Sequence, residues 1–533
     1  MMTAQQLDIP VRRWVPDWLA IVLVFIIMLP ITMINGTYTG SMVEVSNTLG
    51  MYTEEITLGY YAAAAGMAVA YPIVPKILDS FSSKSFLLVD LTLQFLLSWM
   101  CARSGPDIMV LLSFVIGFLK GFIMLWVIRR IKLVFSPTDV RSEFYAYFYP
   151  VVFGGGQLSM VVTALLAYHY DWKYMYYFMM MMLVVAIIVV IVFMRHDRPS
   201  KGIPLKELHV QEMFIIAIGI LMLSYVMTYG KVLDWMASTR LCIYIVIAPL
   251  LIALFVWMQL YSPKPYVSLK PLFQWKAILG YFYMMLVMFF STSTTLLSSY
   301  MTTILQIDNT HTYTLYVWLL PGYVLGGVVC FWWFRWQRWR FRYLIGAGMA
   351  CFTFFFGFLY FTVSPGSTYE SLYVPLFFRG LGMLTLLAAF GLFTVEDLNP
   401  KLLLSNAFFL ISFRAVLAPV FASSFYSNLL YYLQQRYMVQ LSENMTMLDP
   451  LAASRYTSTL TNGIGQGHGI DEAMQMATNT LYGVLQQQST LLALKSILGW
   501  LFVITLVIAI VSCFIPFHKT IKVPVIRTGE DSV

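Results

Sequence analysis

The chain has 533 residues, of which 60% are hydrophobic and 11% charged, and it carries a formal net charge of +8. So few charged residues cannot clothe a hydrophobic core of that size, which excludes a water-soluble globular protein. The 33 Lys and Arg residues are spread over short connections rather than gathered on one face, so no nucleic-acid partner is expected and the lipid bilayer is the expected surroundings.

A helix that crosses a bilayer needs about 20 mostly apolar residues. Fourteen stretches qualify, near 17–39, 57–78, 86–101, 108–128, 144–166, 173–194, 212–229, 241–260, 276–300, 312–333, 342–362, 371–396, 403–431 and 497–516. The first is too long, and followed by too many others, to be a cleaved signal peptide. Basic residues cluster in every second connection, which places both termini in the cytoplasm. The expected fold class is an all-α integral membrane protein with 14 transmembrane helices grouped six, two and six. Residues 1–195 form the first bundle, 196–263 a basic linker with two inserted central helices, and 264–533 the second bundle with an extracytoplasmic loop at 432–490. Such a division is a transporter layout.

In chain order, the first polar residue inside a span is Asn35, within Ile34-Asn35-Gly36-Thr37. Asp79 and Lys84 lie in the cytoplasmic connection after span two, and Asp90 lies a few residues into span three. Lys120 sits near the middle of span four, where a charge is costly and faces a cavity or a partner. A lysine there either takes and gives a proton, binds an anion, or serves structure. Asp90 either pairs with Lys120, about 6 Å deeper on the neighbouring span, or reaches the headgroups alone. Gly154, Gly155 and Gly156 in span five allow close helix approach. Span nine carries Ser291, Thr292, Ser293, Thr294 and Thr295, hydroxyls that either bond a substrate or satisfy their own backbone. Arg379 lies roughly 12 Å from the outer end of span twelve. Arg414 lies midway through span thirteen, where it either serves the cavity or pins helices through backbone carbonyls. The other acidic candidates near the membrane are Glu44 and the pair Glu396-Asp397.

Prolines 30, 72, 150, 249, 321, 375 and 419 interrupt spans, as bundles that bend around a central cavity require. Aromatic and Met-rich runs such as Tyr174 to Met182 suit adaptable binding of bulky apolar compounds, or lipid contact and packing. The run Gly463 to Gly469 follows no strand, so it is a flexible turn rather than a dinucleotide site, and Asp471 to Gln488 reads as an amphipathic helix leading into the last span. Cys101, Cys242, Cys330, Cys351 and Cys513 lie in or at the ends of spans without paired spacing, and all six histidines fall in connections, at span edges or in the tail. No disulfide framework, metal, heme or other cofactor is expected. With no intramembrane His and Asp pair and no activated nucleophile, no catalytic residue is assigned.

Asp171-Trp172-Lys173-Tyr174-Met175-Tyr176-Tyr177-Phe178 resembles the W-R-W-x-F segment of the major facilitator superfamily, specifically its fourteen-helix drug:proton antiporter family of the EmrB/QacA type. Gly230 to Ser238, with Asp234-Trp235, resembles the G-x-x-x-D-W-x-x-S turn of that family. Leu320-Pro321-Gly322, Arg379-Gly380-Leu381-Gly382 and Phe413-Arg414 match further landmarks in order. The departures are equally specific. In the cytoplasmic latch G-x-x-x-D-R-x-G-R-K, Pro75, Asp79 and Lys84 keep the frame while Ser80, Ser82 and Ser83 replace Arg, Gly and Arg. The R-x-x-Q-G pattern of span four reads Gly117, Phe118, Leu119, Lys120, Gly121, and the antiporter motif of span five has Ser159-Met160 in place of Gly-Pro. Asn35 stands where the L-D-x-T pattern has a carboxylate.

The resemblance implies a proton-coupled secondary exporter of amphipathic or lipophilic compounds, a multidrug-type efflux antiporter of the bacterial inner membrane working by alternating access. It also implies, for some relatives, a periplasmic adaptor and an outer-membrane channel as partners. The basic set Lys120, Arg379 and Arg414, with an amide at position 35, inclines the substrate toward anionic amphiphiles. Uptake of an anionic solute, and a degenerate transporter kept as a scaffold or sensor, remain as alternatives.

Overall fold

The computed structural model describes residues 9–39, 46, 52–136, 141–197, 208–307, 309–336, 341–395, 398–443, 445–446, 448–515 and 517. Among them there is no strand, only an isolated bridge between Val11 and Met194. The first group of helices is α1 (Asp17–Thr39), α2 (Thr53–Ala70), α3 (Val74–Leu78), α4 (Ser83–Cys101), α5 (Pro106–Phe135), α6 (Arg141–His169) and α7 (Tyr174–Phe193). Two central helices follow, α8 (Val210–Tyr229) and α9 (Thr239–Tyr261). The remainder is α10 (Trp275–Ser291), α11 (Thr294–Ser299), α12 (Asn309–Leu315), α13 (Leu319–Trp336), α14 (Phe341–Thr362), α15 (Tyr373–Phe393), α16 (Leu403–Ile411), α17 (Ala418–Ser442), α18 (Pro450–Gly465) and α19 (Ile470–Phe514).

Among the described residues, 12 helical runs, from Ser83–Cys101 to Ile470–Phe514, are long and apolar enough to cross a membrane. The first two expected spans are also helical but lie outside this set. Helix α1 spans Asp17–Thr39, with its described side chains ending at Met33, and α2 opens on Glu54 and Glu55 and is rich in alanine. Pro30, Pro150 and Pro249, expected to interrupt spans, lie inside continuous helices, whereas Pro72 falls at a break, as its missing N–H favours. Helix α2 stops at Ala70, and the chain turns through Tyr71-Pro72-Ile73 before Pro75 restarts it as α3.

The closest helix crossing joins α2 to α5. A side chain on Gly117 of α5 would fall on the Ala63 carbonyl, and one on Gly66 of α2 would fall on the Phe114 carbonyl. Gly121, one turn further, leaves room for Ala70 of α2, whose Cβ would lie 2.9 Å away. The second half of the chain repeats the device between α13 and α15. Gly322 meets the backbone of Phe377 and Leu381, and Gly380 meets that of Leu319. Small residues let two backbones touch where lipid supplies no hydrophobic drive to hold helices together. On α5 and on α15, an intramembrane cation stands beside the crossing: Lys120 in one, Arg379 in the other.

The central helices α8 and α9 are tied to helices before and after them at what the charge pattern reads as the cytoplasmic side. Buried Glu212 of α8 accepts from Gln259 Nε2 of α9 at 2.7 Å and from the Tyr266 N–H at 3.3 Å. Tyr266 donates its hydroxyl to the Val69 carbonyl of α2, and the Ser268 N–H reaches Ser405 Oγ of α16 at 3.0 Å. At the opposite end, Asp234 and Trp235 take positive φ of 49°. The Trp235 ring then lies over Gly230, where a Cβ would be 2.7 Å away, and its Nε1 donates to Asn428 Oδ1 of α17 at 3.2 Å.

Residues 432–490 hold more structure than a flexible turn and one helix. Helix α17 runs on to Ser442, and α18 starts where Asp449 accepts from the Leu451 N–H at 2.9 Å. Gly463 lies inside α18, against Ala473 of α19, so the glycines close the pair rather than loosen it. Within the run Gly463–Gly469 only residues 466–469 turn, with Gly467 at a φ of 92°. From Ile470 the chain is one helix into the last span, as the spacing predicts, burying Ala473, Ala477 and Leu485.

Candidate functional site

A cavity of about 780 Å³ opens between α1, α2, α5 and α6 on one side and α10, α11, α13 and α15–α17 on the other. Its walls mix methionine, phenylalanine and leucine with eight tyrosines, Tyr149, Tyr316 and Tyr323 among them. Five cations line it: Lys120, Arg129, Lys132, Arg379 and Arg414. Among the described lining residues there is no carboxylate. Such a chamber attracts anions and offers apolar surface to a tail.

All three cations expected inside the spans therefore reach one cavity. Lys120 is 4% exposed and Arg379 5%, whereas Arg414 is half-buried. Arg414 lies on a π-helical turn, Ser412–Leu417, and donates to the Tyr149 hydroxyl at 3.4 Å, with the rings of Tyr149 and Phe153 at 5.6 and 5.8 Å. It thus holds α16–α17 to α6 through aromatics rather than through backbone carbonyls. A π-turn at such a position is a frequent mark of a functional site.

Span nine is broken within its hydroxyl run. Helix α10 ends at Ser291, α11 begins at Thr294, and a π-turn follows at Tyr300–Ile304. Thr292, Ser293, Thr294 and Thr295 each bond a carbonyl of their own helix, at 2.7–3.3 Å. Such bonds compete with the helix ladder, which accounts for the break. The Thr295 N–H turns to the Thr292 carbonyl at 3.3 Å, and the Ser291 carbonyl accepts instead from Arg379 Nη2. Ser291, Thr292, Thr294 and Thr295 all line the cavity, and of these the buried Ser291 hydroxyl has no partner.

Asp90 lies apart. It is buried within α4, where Gln94 Nε2 donates to its Oδ1 at 2.8 Å and its Oδ2 has no partner. It neither lines the cavity nor meets Lys120. The side chain of Asn35, and residues Glu44, Glu396 and Asp397, lie outside the described residues. Gly155 and Gly156 pack on Thr32 of α1, Gly154 faces Leu320 of α13, and Gly156 also lines the cavity.

The segment that matches the latch motif is rewired. Asp79 accepts from Arg129 Nη1 of α5 at 2.9 Å. Lys84 Nζ donates to the carbonyls of Ile191 and Met194, both at 2.9 Å, and so caps the end of α7. The substituted serines find an anion further along the chain: Asp197 accepts from Ser82 Oγ at 2.9 Å, Ser83 N–H at 2.8 Å and Ser83 Oγ at 2.7 Å. Arg130 Nη2 reaches Ser83 Oγ at 3.2 Å. Burial pushes the Asp197 carboxyl up, but the hydrogen bonds from Ser83, Ser82 and the backbone outweigh it and hold the carboxyl below its ordinary value. A depressed carboxylate adds stability above its unfolded pKa and loses it as pH falls through the folded one. Asp197→Ala is therefore expected to cost about 1–3 kcal/mol near pH 7, read as a lower Tm. The difference from the wild type should close as the pH is taken below about 4. An equal deficit at both pH values would show that Asp197 acts by packing rather than charge.

Sequence reasoning did not single out Arg129, Lys132, Asp197 or the tyrosine lining. Arg129 and Lys132 were legible only as topogenic cations, and Asp197 is brought to Ser82 and Ser83 by the pairing of α4 with α7.

A polytopic helical protein with a cation-lined, largely apolar chamber between two groups of helices has the build of a membrane carrier. The chain belongs to the Major Facilitator Superfamily, whose family profile matches residues 21–423. As a member it is a multi-pass membrane transporter of small molecules and not an enzyme. It is similar in fold to the peptide transporter POT in complex with sulfate, at 13% identity, TM-score 0.54, covering 96% of this chain and 99% of that one. It is also similar to a mutant of the nucleoside transporter NupG, at 11% identity, TM-score 0.52, covering 92% and 99%. A sequence comparison with curated proteins gives no match.

Proposed function

We propose that the protein is a fourteen-span secondary active transporter of the bacterial inner membrane that moves amphipathic anions by alternating access between two six-helix bundles. Both termini are cytoplasmic in this reading, with α8 and α9 as the inserted pair. The observation that carries it is the charge inventory of the cavity: five cations, no described carboxylate, and walls of methionine, phenylalanine and tyrosine. The resemblance to drug:proton antiporters supplies the direction, export, and the coupling ion, the proton. Exposed Leu448 and Leu451 on the α17–α19 arm support docking of a periplasmic adaptor and, beyond it, an outer-membrane channel.

A second reading, uptake together with protons, is favoured by Lys120. A proton on a lysine attracts an anion rather than competing with it, so the two bind best together. Flux of dodecanoate and of dodecyltrimethylammonium into proteoliposomes, with an acidic interior or an acidic exterior, tests both. Dodecanoate is expected to move and the cationic analogue not. Stimulation by acid on the far side supports export by exchange, and stimulation by acid on the substrate's own side supports the second reading. Transport of the cation with dodecanoate ignored would sink both.

A further inference from the structure

We infer that Arg379 is the seat of the substrate's anionic head, and that the Ser291 carbonyl at the break in span nine is the place-holder which that head displaces. The inference rests on the reading of the protein as a carrier of amphipathic anions and names the residues that recognise the head. Arg379 is buried at the cavity wall with its guanidinium 5.7 Å from the Phe355 ring, and the phenols of Tyr316, Tyr323 and Tyr426 stand around it. Its protein partner is the Ser291 carbonyl, bonded to Nη2, while Nε and Nη1 have no acceptor. The adjoining Ser291 hydroxyl has none either. A buried cation with unused donors needs an anion with acceptor oxygens. The other arginines of the chamber are already engaged, Arg129 by Asp79 and Arg414 by Tyr149.

Geometry narrows the class of head. Nη2 carries two hydrogens, one beside the Nε hydrogen and the other beside a hydrogen of Nη1. Whichever of the two Ser291 takes, the other remains paired with an unused neighbour, so one edge of the guanidinium presents two parallel N–H groups. That edge matches two coplanar oxygens of a carboxylate, or two oxygens of a sulfonate. The Ser291 hydroxyl offers a further donor, and the methionine and phenylalanine walls take the tail.

The same exchange links binding to movement. In an unbroken helix the Ser291 carbonyl would accept from the Thr295 N–H, four residues on. Here that N–H is held by Thr292 at 3.3 Å, and the carbonyl is occupied by Arg379. An anionic head seated on that free edge neutralises the guanidinium and draws it off the neutral carbonyl, which passes to Thr295 and closes the break between α10 and α11. Occupancy of the seat thereby changes the shape of a span that lines the cavity.

The test is binding of dodecanoate and of dodecan-1-ol to the purified full-length protein, by calorimetry, with Arg379→Gln, Arg379→Lys and Arg414→Gln alongside. Arg379→Gln is expected to weaken dodecanoate about tenfold or more while leaving dodecan-1-ol unchanged, with Arg379→Lys intermediate because it cannot bind in two-point fashion. Dodecanoate affinity held within twofold in Arg379→Gln, or lost instead in Arg414→Gln alone, overturns the inference and leaves the carrier reading standing. Preference of the wild type for dodecyltrimethylammonium over dodecanoate removes both together. Should Arg379→Gln bind neither probe, amide exchange in the wild type decides: the Thr295 amide is expected to slow about fivefold or more on adding dodecanoate. No change there overturns the exchange at the helix break.

Discussion

Gly117→Val is expected to yield no folded, monodisperse transporter. The Cβ of residue 117 would occupy the Ala63 carbonyl of α2, and from the opposite side Gly66 has no room before Phe114 and Phe118 of α5. Both obstacles are backbone, so no rotamer change relieves them. Ordinary overpacking costs about 1–3 kcal/mol, and here the remedy is to separate two helices along a seam that continues to Gly121 and Ala70. The seam also positions Lys120, so partial folding would still displace the cavity wall. Gly105→Val is the control: it sits just before α5 in extended backbone, φ −75° and ψ 175°, with nothing within 4 Å of the added carbon. Size-exclusion profile and Tm in detergent measure the contrast. A Gly117→Val protein that elutes and melts as the wild type does would show that α2 and α5 do not touch as described.

The seam also shows what the sequence makes legible. At position 117 the sequence shows a missing arginine, read against the R-x-x-Q-G pattern; in the structure the glycine is required by contact, which depends on Ala63 over fifty positions away. Apolar length and charge alternation suffice for helices, because each span satisfies its own backbone in the membrane. They suffice as well for the intramembrane cations, since a charge at mid-span has to face a cavity or a partner, and Lys120, Arg379 and Arg414 do share one chamber. What escapes is set by pairs of distant residues. The serines at 82 and 83 look like losses until Asp197 is brought to them, and Ser291 looks like one hydroxyl among five until Arg379 is seen on its carbonyl. The glycines at 463–469 suggest looseness because glycine permits it, whereas Gly463 serves to let α18 close on α19. Asp90 is the reverse case: a carboxylate inside a span invites a functional reading, yet it bonds Gln94 on its own helix and stands away from the cavity.

Lys120→Gln is expected to abolish the response of transport to a pH gradient while leaving exchange of substrate at equal pH within a few fold. Lys120 lies roughly 20 Å from either end of α5, where an intramembrane lysine costs about 2.5–3.5 kcal/mol, a penalty tolerated only for a purpose. It is 4% exposed and forms part of the cavity wall. The cavity's four other cations do not serve as proton carriers in this reading. Three are arginines, which keep their proton throughout, and Lys132 lies in the last turn of α5 rather than at its middle. Glutamine retains length and hydrogen bonding but takes up no proton, so gradient-driven dodecanoate flux should fall about a hundredfold, to the level of passive exchange. Lys120→Arg separates charge from titration, because arginine attracts the anion as lysine does and never releases its proton. Dodecanoate binding should therefore survive in Lys120→Arg and be weakened in Lys120→Gln, whereas gradient-driven flux should be lost in both. Gradient-driven flux retained by Lys120→Arg would assign the lysine to holding the anion alone, and the coupling proton would then have to ride on a group outside the cation set of this cavity.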